Sequence, residues 1–251
     1  MLLAVDVGNT NTVLGLFEGD DLVDSWRIKT DARDTGDEMA LTYEGLLARH
    51  TLTGIALCST VPSVLRELRT MVARSFADVP TVIVEPGTKT GVSIITDNPR
   101  EVGADRIVNT LAVFERYGGP AIVVDFGTST NLDVVSARGD FLGGALAPGI
   151  QISLDALANR AAQLRKIELV RPRSPIGRNT VEALQSGALY GFAGQVDGLV
   201  DRISAELGGI QAVVATGGLA EIVIEESRTI THHEPDLTLY GLDLIYTKNV
   251  P

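Results

Sequence analysis

Two stretches of this chain set a carboxylate at the end of an apolar run and follow it with glycine and hydroxyl-bearing residues. In the first, Leu2–Val5 leads to Asp6, and Gly8, Asn9, Thr10, Asn11 and Thr12 make a polar turn before a second apolar run at Val13–Phe17. Gly8 and Asn9 tolerate positive φ, so the chain can reverse there and aim several backbone N–H groups at one point. Converging N–H groups and hydroxyls make a concave anion site, and a carboxylate at the strand end can hold a hydrated Mg²⁺ beside it. An ordinary hairpin uses the same turn residues. The second stretch, Ala121–Val135, repeats the pattern around Asp125: an apolar strand, Asp-Phe-Gly-Thr-Ser-Thr, then another apolar strand. Both copies end at a Gly-Asp pair, Gly19-Asp20 and Gly139-Asp140. Their separation, close to half the chain, indicates a duplicated domain rather than a solenoid of short repeats. Two such hairpins, facing each other, would hold a polyphosphate from both sides.

Asp105 stands in Gly103-Ala104-Asp105-Arg106, just before a helix. A carboxylate there complements the helix dipole, and it can equally take the proton of an attacking hydroxyl. Arg106 is either a solvated cation or a bidentate partner for a carboxylate. Thr180 precedes a long amphipathic helix and reads as its N-cap, a place that also faces anions. Gly217-Gly218 closes a strand and permits either a plain turn or a close backbone approach to a ligand. No His/Cys cluster points to a transition metal, and His232-His233 reads as an exposed loop pair.

The elements that must position these groups follow from periodicity. Leu22–Lys29 alternates as a third strand with Trp26 on one face. Glu38–Arg49 is a helix with Met39, Tyr43, Leu46 and Leu47 on one stripe, and Gly54–Ser59 is a buried strand. Pro62 starts a second helix carrying Val64, Leu65, Leu68, Met71, Val72 and Phe76, and Thr81–Glu85 is another strand. The first half thus reads βββαβαβ. Gly87–Arg100 is irregular, and Asp105 to Tyr117 is a helix stopped by Gly118-Gly119. Beyond the second hairpin, Gly143–Gly149 reads as a Gly/Pro loop, Ile152–Leu164 as a helix and Arg171–Arg178 as a basic loop. A long helix follows with a seam of Val181, Leu184, Ala188, Phe192, Val196, Leu199, Ile203 and Leu207, then a strand at Ala212–Thr216 and a closing helix over Pro235–Tyr246.

Length and composition set bounds. At 251 residues the repeat favours two packed halves, residues 1–117 and 118–251. With 21 basic and 32 acidic residues the net charge is −11, which argues against broad binding to nucleic acid or anionic lipid. The single Cys58 excludes an internal disulfide and, ending an apolar run, reads as a buried thiol in a reducing cytoplasm. The first residues lead straight into the Asp6 turn without a basic leader or a long apolar span, so a soluble cytoplasmic protein that does not engage a membrane is expected.

Asp-Val-Gly-Asn-Thr at 6–10, Gly-Ala-Asp-Arg at 103–106, Asp-Phe-Gly-Thr at 125–128 and Gly-Gly-Ala-Leu-Ala-Pro-Gly at 143–149 occur in one order. From Leu2 to about Gly241 this combination resembles the type III pantothenate kinases of the actin, sugar-kinase and heat-shock-chaperone ATPase superfamily. The resemblance implies an α/β fold of duplicated actin-like ATPase (ribonuclease H-like) domains, each a mixed five-stranded sheet with flanking helices. It implies ATP-dependent phosphorylation of pantothenate to 4′-phosphopantothenate, the first step of coenzyme A biosynthesis, by a homodimer. Asp6, Val7, Gly8, Asn9, Thr10, Asn11, Thr12 and Val13 would wrap the ATP phosphates, with Asp6 near Mg²⁺ through water. Thr128 would touch a phosphate, and Gly217 and Gly218 the adenosine. Gly103, Ala104, Asp105, Arg106 and Thr180 would meet pantothenate, with Asp105 as catalytic base. Asp125 would bind a monovalent cation, K⁺ or NH₄⁺. Two positions depart from the family: Thr96 replaces a frequent Tyr, and Asn131 replaces Thr. A related sugar or acid kinase and a nucleotide-binding regulator of the same fold are the alternatives, and an intact Asp105-Arg106 pair favours the enzyme.

Overall fold

A computed structural model describes residues 1–160 and 167–250. Its contacts divide the chain into two units: residues 1–92, 98–112 and 237–251, and residues 93–97 with 113–236.

The first unit is built on a five-stranded sheet of order β3-β2-β1-β4-β5, from β1 (Leu2–Val7), β2 (Asn11–Glu18), β3 (Asp21–Lys29), β4 (Gly54–Ser59) and β5 (Thr81–Ile83). β1 to β3 form an antiparallel meander, and β4 and β5 add in parallel, so the sheet is mixed. Alternation along β1 divides its side chains between the two faces. Leu3, Val5 and Val7 meet α1 (Gly36–Leu47) and α2 (Pro62–Ser75), while Leu2 and Ala4 meet α3 (Ala104–Tyr117) and α7 (Leu237–Asn249). α1 starts two residues before the sequence expectation because Thr35 and Glu38 form a capping box, in which the Glu38 carboxylate accepts from the Thr35 N–H at 2.9 Å. α7, which the sequence division assigned to the second half, packs on the first sheet: Leu239, Leu242 and Ile245 join Ala4, Phe17 and Ala56 in one apolar cluster.

The second unit repeats the topology. β6 (Ala121–Phe126), β7 (Ser129–Val135), β8 (Phe141–Pro148), β9 (Ala212–Thr216) and β10 (His232–His233) make a sheet of order β8-β7-β6-β9-β10. Ile122, Val124 and Phe126 pack with side chains of α4 (Ile150–Arg160), α5 (Thr180–Leu207) and α6 (Ala220–Ile224). The expected fold class, two mixed five-stranded sheets flanked by helices, is what the chain adopts.

Several local expectations are corrected. Gly143–Gly149 is largely strand rather than loop: Gly144 lacks a side chain where a Cβ would stand 1.8 Å from the Leu132 carbonyl oxygen, so β8 pairs closely with β7. His232-His233 is an exposed edge strand that pairs in parallel with Val214-Ala215. The α5 seam is rotated: Ala188, Leu189, Ala193, Val196 and Val200 are buried, while Val181 is exposed. The helix expected over Ile152–Leu164 runs from Ile150 to Arg160, and its last four positions lie outside the described residues.

Candidate active site

β1 and β6 carry their carboxylates at the same strand position, and burial runs identically along the two strands. Asp6 shares its face with Leu2 and Ala4, so it ends an apolar row. Register sets Val13 on β2 and Cys58 on β4 beside it, and Arg27 on β3 opposite Val13. Arg27, Val13, Asp6 and Cys58 therefore form one row across four strands, on one face of the sheet.

The Cys58 thiol, fully buried, donates to Asp6 Oδ1 at 3.4 Å. Burial pushes the Asp6 carboxyl up to about 7, and the negative charge of Asp105 adds to the rise; the Cys58 S–H and the Arg27 guanidinium oppose it. Burial, with the two acids, holds the Cys58 thiol well above its ordinary range, so it remains a neutral donor. Asp105 lies in the first turn of α3, where its Oδ1 accepts the Arg106 backbone N–H at 2.9 Å. Burial raises its carboxyl too, against that hydrogen bond and the Arg106 guanidinium. The first unit thus brings Asp6 and Asp105 within electrostatic reach of each other and holds both carboxyls above the ordinary aspartate range.

The turn after Asp6 differs from expectation in one respect. Neither Gly8 nor Asn9 takes positive φ; the reversal is closed instead by the Gly8 N–H donating to the Asn11 carbonyl at 3.0 Å. Thr12 Oγ1 hydrogen-bonds Thr30 Oγ1 at 2.9 Å, tying the turn to the end of β3.

In the second unit the equivalent row is Leu146, Asn131, Asp125 and Thr216. Asn131 is buried, and its Oδ1 has no hydrogen-bond partner among the described residues. Gly217 follows Thr216 with φ +90°, and a Cβ there would come within 2.4 Å of Asp125 Oδ1 and 2.7 Å of the Phe126 backbone. Only glycine fits this position. The Thr128 carbonyl accepts the Gly149 N–H at 3.1 Å, which ties the second turn to the start of α4. Gly218 is exposed at the turn that follows β9.

Thr180 is not the cap of α5. Asn179 is: its backbone is extended, and its Oδ1 accepts the Glu182 N–H at 2.9 Å. Asn is the stronger cap, and it moves Thr180 into the first turn, exposed to solvent. Residues that sequence reasoning passed over are Arg27, Cys58 as a partner of Asp6, and Asn131 as an orphaned amide oxygen. The signal for Arg27 and Cys58 was strand register, which can be counted outward from the Asp6 turn once the pairing order is known.

Residues 2–202 match the family model described as type III pantothenate kinase. The chain belongs to the type III pantothenate kinase family. A relative of that name from Frankia alni is 68% identical over 250 residues, covering the whole of both chains. Among solved structures, a protein from Campylobacter jejuni described as a Baf family transcriptional activator superposes with a TM-score of 0.63 at 17% identity, covering 98% of each chain. The ROK hexokinase from Thermus thermophilus superposes with a TM-score of 0.53 at 15% identity, over 98% of this chain and 99% of the hexokinase. At such identities the two structures speak for the shared fold alone. Apart from Gly217 and Gly218, every site residue expected from sequence falls inside the span matched by the family model. Among the described residues no helix is long and apolar enough to cross a membrane.

Proposed function

We propose that this chain transfers the γ-phosphoryl group of ATP to the primary hydroxyl of pantothenate, giving 4′-phosphopantothenate at the entry to coenzyme A biosynthesis. The observation that carries the reading is the meeting of Asp6 and Asp105 in one unit of a chain whose family is named for this reaction. Phosphoryl transfer asks a protein mainly to align the reactants and offset charge, with one group positioned to take the hydroxyl proton. Asp105 is that group. Its carboxyl, raised by burial, sits nearer the working pH than an exposed aspartate, which suits a general base.

Asp6 and residues 7–13 hold the phosphates, Thr128 adds a phosphate contact, and Gly217-Gly218 lines the adenosine. Gly103, Ala104, Arg106 and Thr180 hold pantothenate, with the Arg106 guanidinium matched to its carboxylate. A hydrated Mg²⁺ fits beside Asp6: the carboxyl is an oxygen donor raised to about 7, and a cation would restore its ionised form. When bound, Mg²⁺ supplies neutralisation of charge on the transferring phosphoryl group. The second row suits a monovalent cation, because Asp125 stands opposite the unpartnered Asn131 Oδ1 and beside the Thr216 hydroxyl, an all-oxygen set. A cytoplasmic homodimer completes the proposal, with Ile152, Leu157 and Val181 exposed on α4 and α5 as the apolar material for its interface.

A coupled assay of ATP consumption tests the reading, with pantothenate set against a panel of sugars and K⁺ exchanged for Na⁺. Turnover that requires pantothenate and responds to K⁺ is expected; turnover of a sugar instead, or none, overturns the assignment. Sedimentation at micromolar concentration tests the dimer.

A further inference from the structure

The outer strand of the first sheet carries two exposed cations beside the Asp6 turn. Arg27 and Lys29 lie two residues apart on β3, so both share one face, and both are exposed. Trp26 and Ile28, which alternate with them, pack on the opposite face with α1 and α2. In register, Arg27 stands opposite Val13 and Lys29 opposite Asn11, the residues where the Asp6 turn re-enters β2. Arg27 is thus two strands, about 10 Å, from Asp6 in the same row. Its side chain makes no hydrogen bond or ion pair with the described residues.

The duplicated sheet supplies an internal control. The position equivalent to Arg27 in the second unit is Leu146 on β8, which is exposed. An apolar residue is therefore compatible with this edge, and the sheet does not demand a cation there. In a chain of net charge −11, Arg27 and Lys29 place two exposed cations beside a turn of backbone donors and hydroxyls, with Asp31 within electrostatic reach of Lys29 alone of the two.

We infer that Arg27, with Lys29 beside it, binds the phosphates of the nucleotide from the outer side of the β1–β2 turn. The inference rests on the reading that this turn holds ATP. The guanidinium offers several donors in a fixed fork that matches phosphate oxygens, and its stem is long enough to reach across β2 over Val13. The Arg27 charge already reaches Asp6, where it favours the ionised carboxylate. Lys29, nearer the tip of the turn, adds a second, less directional charge.

The test compares wild-type protein with R27Q and R27K in equilibrium binding of MgATP and of adenosine, and in KM for pantothenate. R27Q is expected to weaken MgATP by about 10-fold or more, to leave adenosine and the pantothenate KM within about twofold, and to lose part of the salt dependence of MgATP binding. R27K should recover part of the loss. Unchanged MgATP affinity, or adenosine weakened as much as MgATP, overturns the inference; so does a rise confined to the pantothenate KM, which would make Arg27 a carboxylate clamp. Wild-type protein that binds MgATP through Arg27 yet does not phosphorylate pantothenate would uphold the inference and overturn the assigned reaction. Wild-type protein that binds no MgATP overturns both.

Discussion

The two sheets share strand order, hairpin position and the placement of one aspartate, yet their rows read differently: Arg27, Val13, Asp6, Cys58 in one and Leu146, Asn131, Asp125, Thr216 in the other. The first has a cation at one end, a carboxylate two strands in from it and a second acid, Asp105, within electrostatic reach. The second replaces the cation with leucine, the valine with an amide and the thiol with a hydroxyl. One backbone plan therefore presents its carboxylate in two chemically different settings. On the proposed function the first row serves phosphate and a divalent metal, and the second, with its neutral oxygens, a weakly held cation. After duplication the divergence lies in side chains at fixed register positions rather than in strand order.

The largest effect should come from removing the second acid of the first unit. Asp105→Asn is expected to lower kcat by about 10²–10⁴ while MgATP affinity stays within about threefold, as turnover and binding measured on one preparation would show. Equal losses in both would make Asp105 part of the binding site rather than the base.

The glycines next sharpen the contrast. Gly217→Ala places a methyl 2.4 Å from Asp125 Oδ1 at φ +90°, so a loss of about 3 kcal/mol, or roughly 10 °C in melting temperature, is expected. Gly8→Ala meets only the Asn11 carbonyl oxygen at 3.2 Å and has no left-handed φ, so less than about 1 kcal/mol should be lost. Equal destabilisation by the two would erase the distinction between a turn built on a left-handed glycine and one that is not.

Asp6 offers a test by pH. Its folded-state carboxyl titrates near 7, above the ordinary value near 4, so the folded chain holds a proton that the unfolded chain releases in that window. Stability without nucleotide should fall as pH rises from about 4 to about 7. Asp6→Asn removes the Asp6 share of this dependence, leaving that of Asp105 and Asp243, whose carboxyls burial also raises, and should melt a few degrees above wild type at pH 8, with the gap closing towards pH 4. A gap that persists unchanged at pH 4 would point to packing rather than ionisation.

The smallest effect concerns the second row. Asn131→Leu should abolish any difference in melting temperature between equal concentrations of K⁺ and Na⁺, expected at about 1–3 °C in wild type. A difference that survives the substitution would remove Asn131 from the cation's surroundings.

Much of this was legible in sequence. The paired Asp-x-Gly turns and the first half's strand and helix order come from apolar runs ending in turn residues, a signal that survives without tertiary context. Three kinds of feature were not. Asn179 displaced Thr180 as cap because adjacent cap formers compete and only backbone geometry decides between them. β8 was masked by glycines that look like a loop but serve close strand pairing. The meeting of Asp6 with Cys58 and Asp105 joins residues more than fifty positions apart and depends on parallel register, which local pattern does not encode.

The placement of α7 has a consequence for how the protein is made. The first sheet is complete in its strands once Thr81–Ile83 has emerged, yet the face that Val108 and Leu111 of α3 cover in part is finished only when Leu239, Leu242 and Ile245 arrive, after the whole second sheet has been made. The unit begun first is therefore the one completed last, with part of an apolar face still open while the other unit is synthesised. A premature stop before Leu237 would strand the nascent chain in that state, exposed to aggregation and proteolysis, although Asp6, Asp105 and Asp125 would all be present.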